Sequence, residues 1–383
     1  MNITLTGLNA LKVLRMVRRK EVPGASFSRR TNLQPPSPAP KKRWSASAID
    51  LSALGILFDE RHPLGIAVPA ANKRVRMRSV SNTVYASGLP ENSFVDVGNG
   101  VFISCPELLF VELTNMMDAP AHVLLGLELC GSFARDPNDP RNGTVAFDLA
   151  PVTSAEKIRS YIERCKNVRD LSYAAERAKY VLDNAWSPME AILATLLRLP
   201  IGEYGYDLGE LELNRRVEAP EQLRPYVEKT TRVPDILLKG TTVGVNYDGE
   251  VHFDLEEIAR RAASGEDVAA AIDDARRKVV DDRRRDRDLL AQGYLVLPAT
   301  SEDLYQEGDL DKLAGQLIEL AERTAGRDYS LQRKVLELKM ATGPRQRVIW
   351  SLLPGERGRR LARELSEEAR REFELVAEEL VYL

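Results

Sequence analysis

Apolar residues along this chain fall into two kinds of pattern. Short alternating runs are set off by Gly, Pro and Asn, and longer stretches show apolar residues three and four apart. HPLGIAVPA (62–70), NTVYAS (82–87) and SFVDVGNGVFIS (93–104) predict three strand-like runs. IDLSALGILF (49–58) predicts a short helix before them, and CPELLFVELTNMMDAPAHVLLGLELCGSF (105–133) predicts two helices after them, with a Leu, Met and Phe stripe for packing. RDPNDPRNGT (135–144) reads as loop, and Ser154 then caps a helix over SAEKIRSYIERC, with a second helical stretch through DLSYAAERAKYVLDNA (170–185).

Further on, SPMEAILATLLRLP (187–200) predicts a helix and PDILLKGTTVGVNY (234–247) two strands. A long charged helix follows through DVAAAIDDARRKVVDDRRRDRDLLAQG and stops at Gly293; the strand YLVLP and a helix over 301–326 complete the set. That order predicts an α/β fold with a mixed sheet flanked by helices. The tail is helical. Leu361, Leu365, Ala369, Phe373, Val376 and Leu380 recur at spacings of three and four, a narrow stripe suited to docking on the body of the protein or on a second copy in a homodimer.

Composition refines this picture mainly at the N-terminus. Of 383 residues, 44% are apolar and 29% charged, ordinary for a globular chain long enough for two domains. Residues 1–44 hold ten Lys or Arg and one acid, Glu21, and include the Pro-rich QPPSPAPKKRW. This predicts a disordered basic arm able to neutralise phosphates, although its Arg and Ser content also fits a transit peptide. The arginines of the long helix, from Arg276 to Arg287, are interleaved with acids and fit either a self-paired face or a DNA contact. Three cysteines form no CxxC pair, and no apolar run is long enough to span a bilayer; both point to a cytoplasmic protein without a membrane partner. The expected partition is thus an arm (1–44), an α+β domain (45–150), connecting helices (151–180), an α/β domain (181–326) and a helical tail (327–383).

The candidate chemistry lies in the α/β domain, at Glu190, Asp235, Asp248 and His252. Each also has a plain structural reading. Ser187-Pro188-Met189-Glu190 is a capping box, Asp235 can simply start a buried strand, and Asp248-Gly249 within VGVNYDGEVHFD can form a tight hairpin with His252 on its second strand. Together, however, Asp235 entering one strand and Asp248 leaving the next can hold Mg²⁺, a hard cation that takes oxygen ligands. His252 then suits a base or a ligand.

SPMEAIL (187–193), PDILL (234–238), NYDGEVH (246–252) and DDRRRDRDLLAQGYLVLPATSEDL (281–304) resemble the very-short-patch-repair (Vsr) endonuclease branch of the PD-(D/E)XK nuclease superfamily. The resemblance implies a PD-(D/E)XK-like fold and Mg²⁺-dependent hydrolysis of DNA phosphodiesters, in a setting of bacterial defence or repair. It implies Glu190 as the helix carboxylate, Asp235 as principal metal ligand, Asp248 as second ligand and His252 as assisting histidine. Related domains usually read Glu-x-Asp-Gly where this chain has Asn246-Tyr247-Asp248-Gly249, so one carboxylate is replaced by a neutral amide. An alternative is a catalytically inactive nucleic-acid-binding or regulatory protein on the same fold, and a third is a scaffold that self-associates through the C-terminal helix. VDVGNGVFISCPELLFVELTNMM and LLGLELCGSF resemble the N-terminal region of actinobacterial proteins likened to AbiEi antitoxins, a resemblance that implies no chemistry.

Overall fold

A computed structural model describes residues 1–25, 27, 30–38, 43–248, 264 and 269–381. The chain divides into two compact units. Unit 1 comprises Met1–Pro188 and Leu353–Leu383, and unit 2 comprises Met189–Leu352.

Unit 1 is built on a six-stranded sheet. Its strands are β1 (Ile3–Leu5), β2 (Arg30–Thr31), β3 (Leu64–Val68), β4 (Val80–Val84), β5 (Phe94–Gly98) and β6 (Val101–Ser104), in the order β2-β5-β6-β1-β3-β4. The expected strands are all present, with the 93–104 run folded into the β5–β6 hairpin. Helices α1 (Gly7–Arg18), α2 (Pro106–Glu112), α3 (Ala119–Cys130), α4 (Ala155–Arg164) and α5 (Leu171–Ala178) complete it. Ser154 accepts from the Lys157 amide as a cap, and Cys105, Cys130 and Cys165 are free and buried.

The basic arm is corrected. Strand β1 lies in the middle of the sheet, parallel to β6 and antiparallel to β3, with Ile3 and Leu5 fully buried. Helix α1 buries Ala10, Leu11, Val13, Leu14 and Val17 on one face, a helical spacing that outweighs the local charge. Its two arginines are absorbed inside the fold. Arg15 pairs with Glu128, and Arg18 donates to the Glu128, Gly131 and Ala150 carbonyls. Farther along, Arg30 of β2 pairs with Glu107. The helix expected over 49–58 is also corrected: only Ser52–Leu54 makes a single 3₁₀ turn, closed by Gly55 at positive φ.

Unit 2 starts with the helix α6 (Pro188–Arg198), followed by β7 (Leu211–Leu213), β8 (Val217–Glu218), β9 (Thr231–Arg232), β10 (Ile236–Leu238) and β11 (Val243–Tyr247). Then come α7 (Ala269–Ala291), β12 (Leu295–Ala299), α8 (Ser301–Tyr305), α9 (Asp309–Ala325), α10 (Ser330–Glu337) and α11 (Lys339–Leu352). Its main sheet has the order β12-β11-β10-β7, antiparallel from β7 to β11 and parallel between β11 and β12. That is the expected mixed sheet flanked by helices. Because Val243, Val245, Ile236, Leu237 and Leu238 are all buried, the two central strands read as apolar runs rather than alternation.

Domain boundaries shift accordingly. The 151–180 helices belong to unit 1, and the expected tail is divided, with α10 and α11 in unit 2 and the helix Glu356–Val381 in unit 1. Leu361 of that last helix is buried, and Arg359 pairs with Asp139, so the stripe begins docked on the body of its own unit. The single helix expected over 301–326 is two, separated at Gly308, which sits at φ 81°.

Candidate functional site

Two strand ends and two helices of unit 2 supply the candidate side chains. Asp235 directly precedes β10 and Asp248 directly follows β11; Ile236 lies opposite Val245, so the antiparallel pairing brings both carboxylates to one end of the strand pair. Backbone contacts clasp that end. Asp235 Oδ2 accepts from the Tyr247 amide at 2.7 Å, and the Asp248 amide donates to the Ala299 carbonyl of β12 at 2.7 Å.

Helix α7 then presents Arg285 to the pair. Its Nη2 lies 3.0 Å from Asp248 Oδ1 and 3.6 Å from Asp282, while its Nε is 3.8 Å from Asp286. The helical spacing of 282, 285, 286 and 289 turns one polar strip of α7 towards the strand ends and anchors it through buried Leu289. Next to it, buried Asp288 pairs with Arg232 of β9. Self-pairing within this helix is confined, among the described pairs, to Arg285 with Asp282 and Asp286, whereas Asp288 and Arg284 pair outside it, the latter with Glu228 at 2.9 Å.

Electrostatics make the cluster unusual. Asp235 retains partial solvent access, yet its carboxyl is closely surrounded. Burial pushes its pKa up to about 6; the Tyr247 amide and Arg285 oppose the rise, and the charges of Asp248 and Asp282 add to it. Asp248 and Asp286 are likewise raised, chiefly by burial. Burial works against the charge on Arg285, but Asp235, Asp248, Asp282 and Asp286 outweigh it and raise its pKa.

The other expected residues fare differently. Glu190 is buried in α6, and its Oε1 accepts from Asn214 Nδ2 at 2.6 Å. The Asn214 amide donates in turn to the Asp235 carbonyl at 2.9 Å, so Asn214, at φ 49°, links the helix carboxylate to the strand end. His252 and Gly249 lie outside the described residues. Asn246 is 1% exposed, and its Oδ1 accepts from the Asp235 amide at 3.0 Å. Its Nδ2 faces Asp286 closely enough to lower that group's pKa but lies outside hydrogen-bond geometry. Asn246 is thus a clasp across the strand ends, and its oxygen is already engaged.

Among the described residues, no group of three or more His, Cys, Asp or Glu side chains is arranged to hold a metal ion. Mg²⁺ needs fewer, because it keeps several waters and uses one or two carboxylates with substrate oxygens. Around Arg285, four carboxylates of the described residues, Asp235, Asp248, Asp282 and Asp286, act on one guanidinium. Sequence reasoning missed Asn214 altogether and saw Arg285, Asp282 and Asp286 only as members of a charge run. Comparison with family models, curated proteins and solved structures finds no match to this chain.

Proposed function

We propose that unit 2 is a nuclease-type domain of the Vsr-like, PD-(D/E)XK kind, acting on DNA phosphodiesters with Mg²⁺. One observation carries this reading: Asp235 and Asp248 converge at one end of one strand pair, where carboxylates outnumber guanidinium groups among the described residues. The order of a helix, three antiparallel strands, a long helix and a parallel strand supports it further. Asp235 and Asp248 would hold the cation, which when bound polarises a phosphodiester and acidifies a water. Tyr247 and Asn246 orient Asp235 through the backbone; Asn214 sets Glu190 against the same strand end. Arg285 holds Asp248 when no cation does.

A second reading, a non-catalytic nucleic-acid-binding or regulatory module, is favoured by Asn246 and Arg285, which satisfy the strand end without a metal. The test is to titrate Mg²⁺ and Mn²⁺ into the full chain by calorimetry and to assay nicking of supercoiled DNA. The nuclease reading expects Asp235→Ala to abolish both signals. Metal binding and nicking that persist in that variant overturn it, and oligonucleotide binding with neither signal in the unaltered chain selects the second reading.

A further inference from the structure

We infer that the loop carrying Lys73, Arg74, Arg76 and Arg78 in unit 1 is a phosphate-contacting surface for nucleic acid. From Arg61 to Pro90 the chain has five Lys or Arg and no Asp or Glu. Four of these cations sit in NKRVRMR, between β3 and the edge strand β4, and all four are exposed.

The loop is held, not merely tolerated. Asn82 of β4 accepts from the Val75 amide at 2.9 Å and donates to the Val75 carbonyl at 3.1 Å. Val75 is buried as a plug, which leaves Arg74 and Arg76 on either side facing solvent. Ser81 and Thr83 of β4 are exposed nearby and offer hydroxyl donors. The pairing that neutralises other exposed cations is nearly absent. Arg284, Arg333 and Lys312 each lie within 3 Å of a carboxylate, whereas here, among the described residues, Arg78 alone approaches one, Glu60, at 4.0 Å between two well-exposed side chains.

Four like charges fixed on one short loop repel each other, and a polyanion relieves that repulsion while releasing its own counterions. The chemistry selects among polyanions. Membrane-surface binding uses an apolar face beside the charge, and protein interfaces centre on apolar or aromatic anchors; here Val75 is buried and Met77 is only partly exposed. A phosphate backbone asks only for guanidinium, ammonium and hydroxyl donors. This inference names where the proposed nucleic-acid partner is held, and it does not depend on whether the acidic site binds a metal.

The test is fluorescence anisotropy of the full chain with labelled duplex and single-stranded oligonucleotides across a salt series, comparing the unaltered protein with K73Q/R74Q/R76Q/R78Q. The four side chains are exposed, so melting should not change. At low salt the variant should bind at least about tenfold more weakly, and the magnitude of its slope of log affinity against log salt should fall by up to about 3.6, near 0.9 per lost duplex phosphate contact. Asn82→Ala keeps every charge but frees the loop, and should weaken binding by a smaller factor. An unchanged slope in the quadruple variant overturns the surface and leaves the acidic site untouched. Association of the unaltered chain with anionic vesicles but not with oligonucleotides overturns it too. Salt-sensitive binding that survives Asp235→Ala and is lost in the quadruple variant supports it even if no DNA is cut.

Discussion

Glu128 in unit 1 and Asp235 in unit 2 are both carboxyls in close surroundings, and their environments push them in opposite directions. Burial raises the Glu128 pKa, but Arg15 grips both oxygens at 2.8 and 2.7 Å, and with Arg135 nearby the group is drawn down to about 2. Three guanidinium groups, of Arg15, Arg18 and Arg135, face that one carboxylate. Around Asp235 the ratio is reversed, with four carboxylates to Arg285, and Asp235 is pushed up to about 6. The first arrangement ties α1 to α3 and uses up its charge in doing so. The second leaves a negative surplus among the described residues around a partly accessible carboxyl, which a proton or a bound cation can neutralise. Surplus charge, more than burial, separates a site from a strut.

The strongest test of this contrast removes the cation from each. Arg15→Ala leaves Glu128 buried with only the weaker attractions of Arg18 and Arg135, and should cost about 3–5 kcal/mol. Urea unfolding, with hydrogen exchange in α1 as the local readout, measures it. Arg285→Gln should cost far less, because its site is wetter and its carboxylates can take up protons. Equal losses would make both clusters structural.

Within unit 1 a smaller effect isolates the role of the partner. Glu112 is also closely packed, but its partners are neutral donors: the Gly7 amide at 2.9 Å, Ser104 at 2.7 Å and Tyr85 at 2.9 Å. Burial outweighs them and raises its pKa from 4.5 to about 7. The folded state therefore holds this proton more tightly than the unfolded chain. Stability should fall as pH rises through that window, by at most about 3 kcal/mol. Glu128 has the opposite sign, contributing stability that is lost as pH falls from 4.5 towards 2. Glu112→Gln should flatten the upper slope and leave the lower one, as read by denaturation midpoints across pH. An upper slope that persists in the variant assigns it to another group.

Much of unit 2 was legible in the sequence, and the start of unit 1 was not. PDILL and VGVNY are short apolar runs bounded by Pro and Gly, so local pattern alone indicated adjacent strands, and with them Asp235 and Asp248 at one end. In the first twenty residues the basic charge masks the helical spacing of Ala10, Leu11, Val13, Leu14 and Val17. Arg15 and Arg18 are buried only because Glu128 and the Gly131 and Ala150 carbonyls, more than a hundred residues away, receive them. Arg285 has the same explanation. Helix spacing says which residues share its face, but the strand ends opposite that face are set by tertiary packing. Asn246, read first as a missing ligand, proved to be a backbone clasp for the same reason.

The finest discrimination concerns Arg285 itself. Asp235, Asp248, Asp282 and Asp286 all act on its guanidinium, and its side chain is 21% exposed. Replacing it with Gln keeps much of the packing and removes the charge. Asp235 and Asp248 should then rise further, because burial and their neighbours' charges act unopposed. Since a raised carboxyl favours the protonated folded state, the loss should appear above the unfolded pKa and grow as pH rises through the folded one. Roughly 1–2 kcal/mol is expected at pH 8 and almost none at pH 4, where protonation does the neutralising. A divalent cation offers a third route. If the acidic cluster accepts Mg²⁺ or Mn²⁺, either ion should recover most of the loss at pH 8, and should bind Arg285→Gln more tightly than the unaltered chain because Asp248 no longer has to leave its guanidinium. Recovery by pH alone, with no response to either metal, would make Arg285 a permanent counter-ion and favour the non-catalytic reading. A loss equal at both pH values would mean that the side chain acts through packing, and the charge argument for this cluster would fall with it.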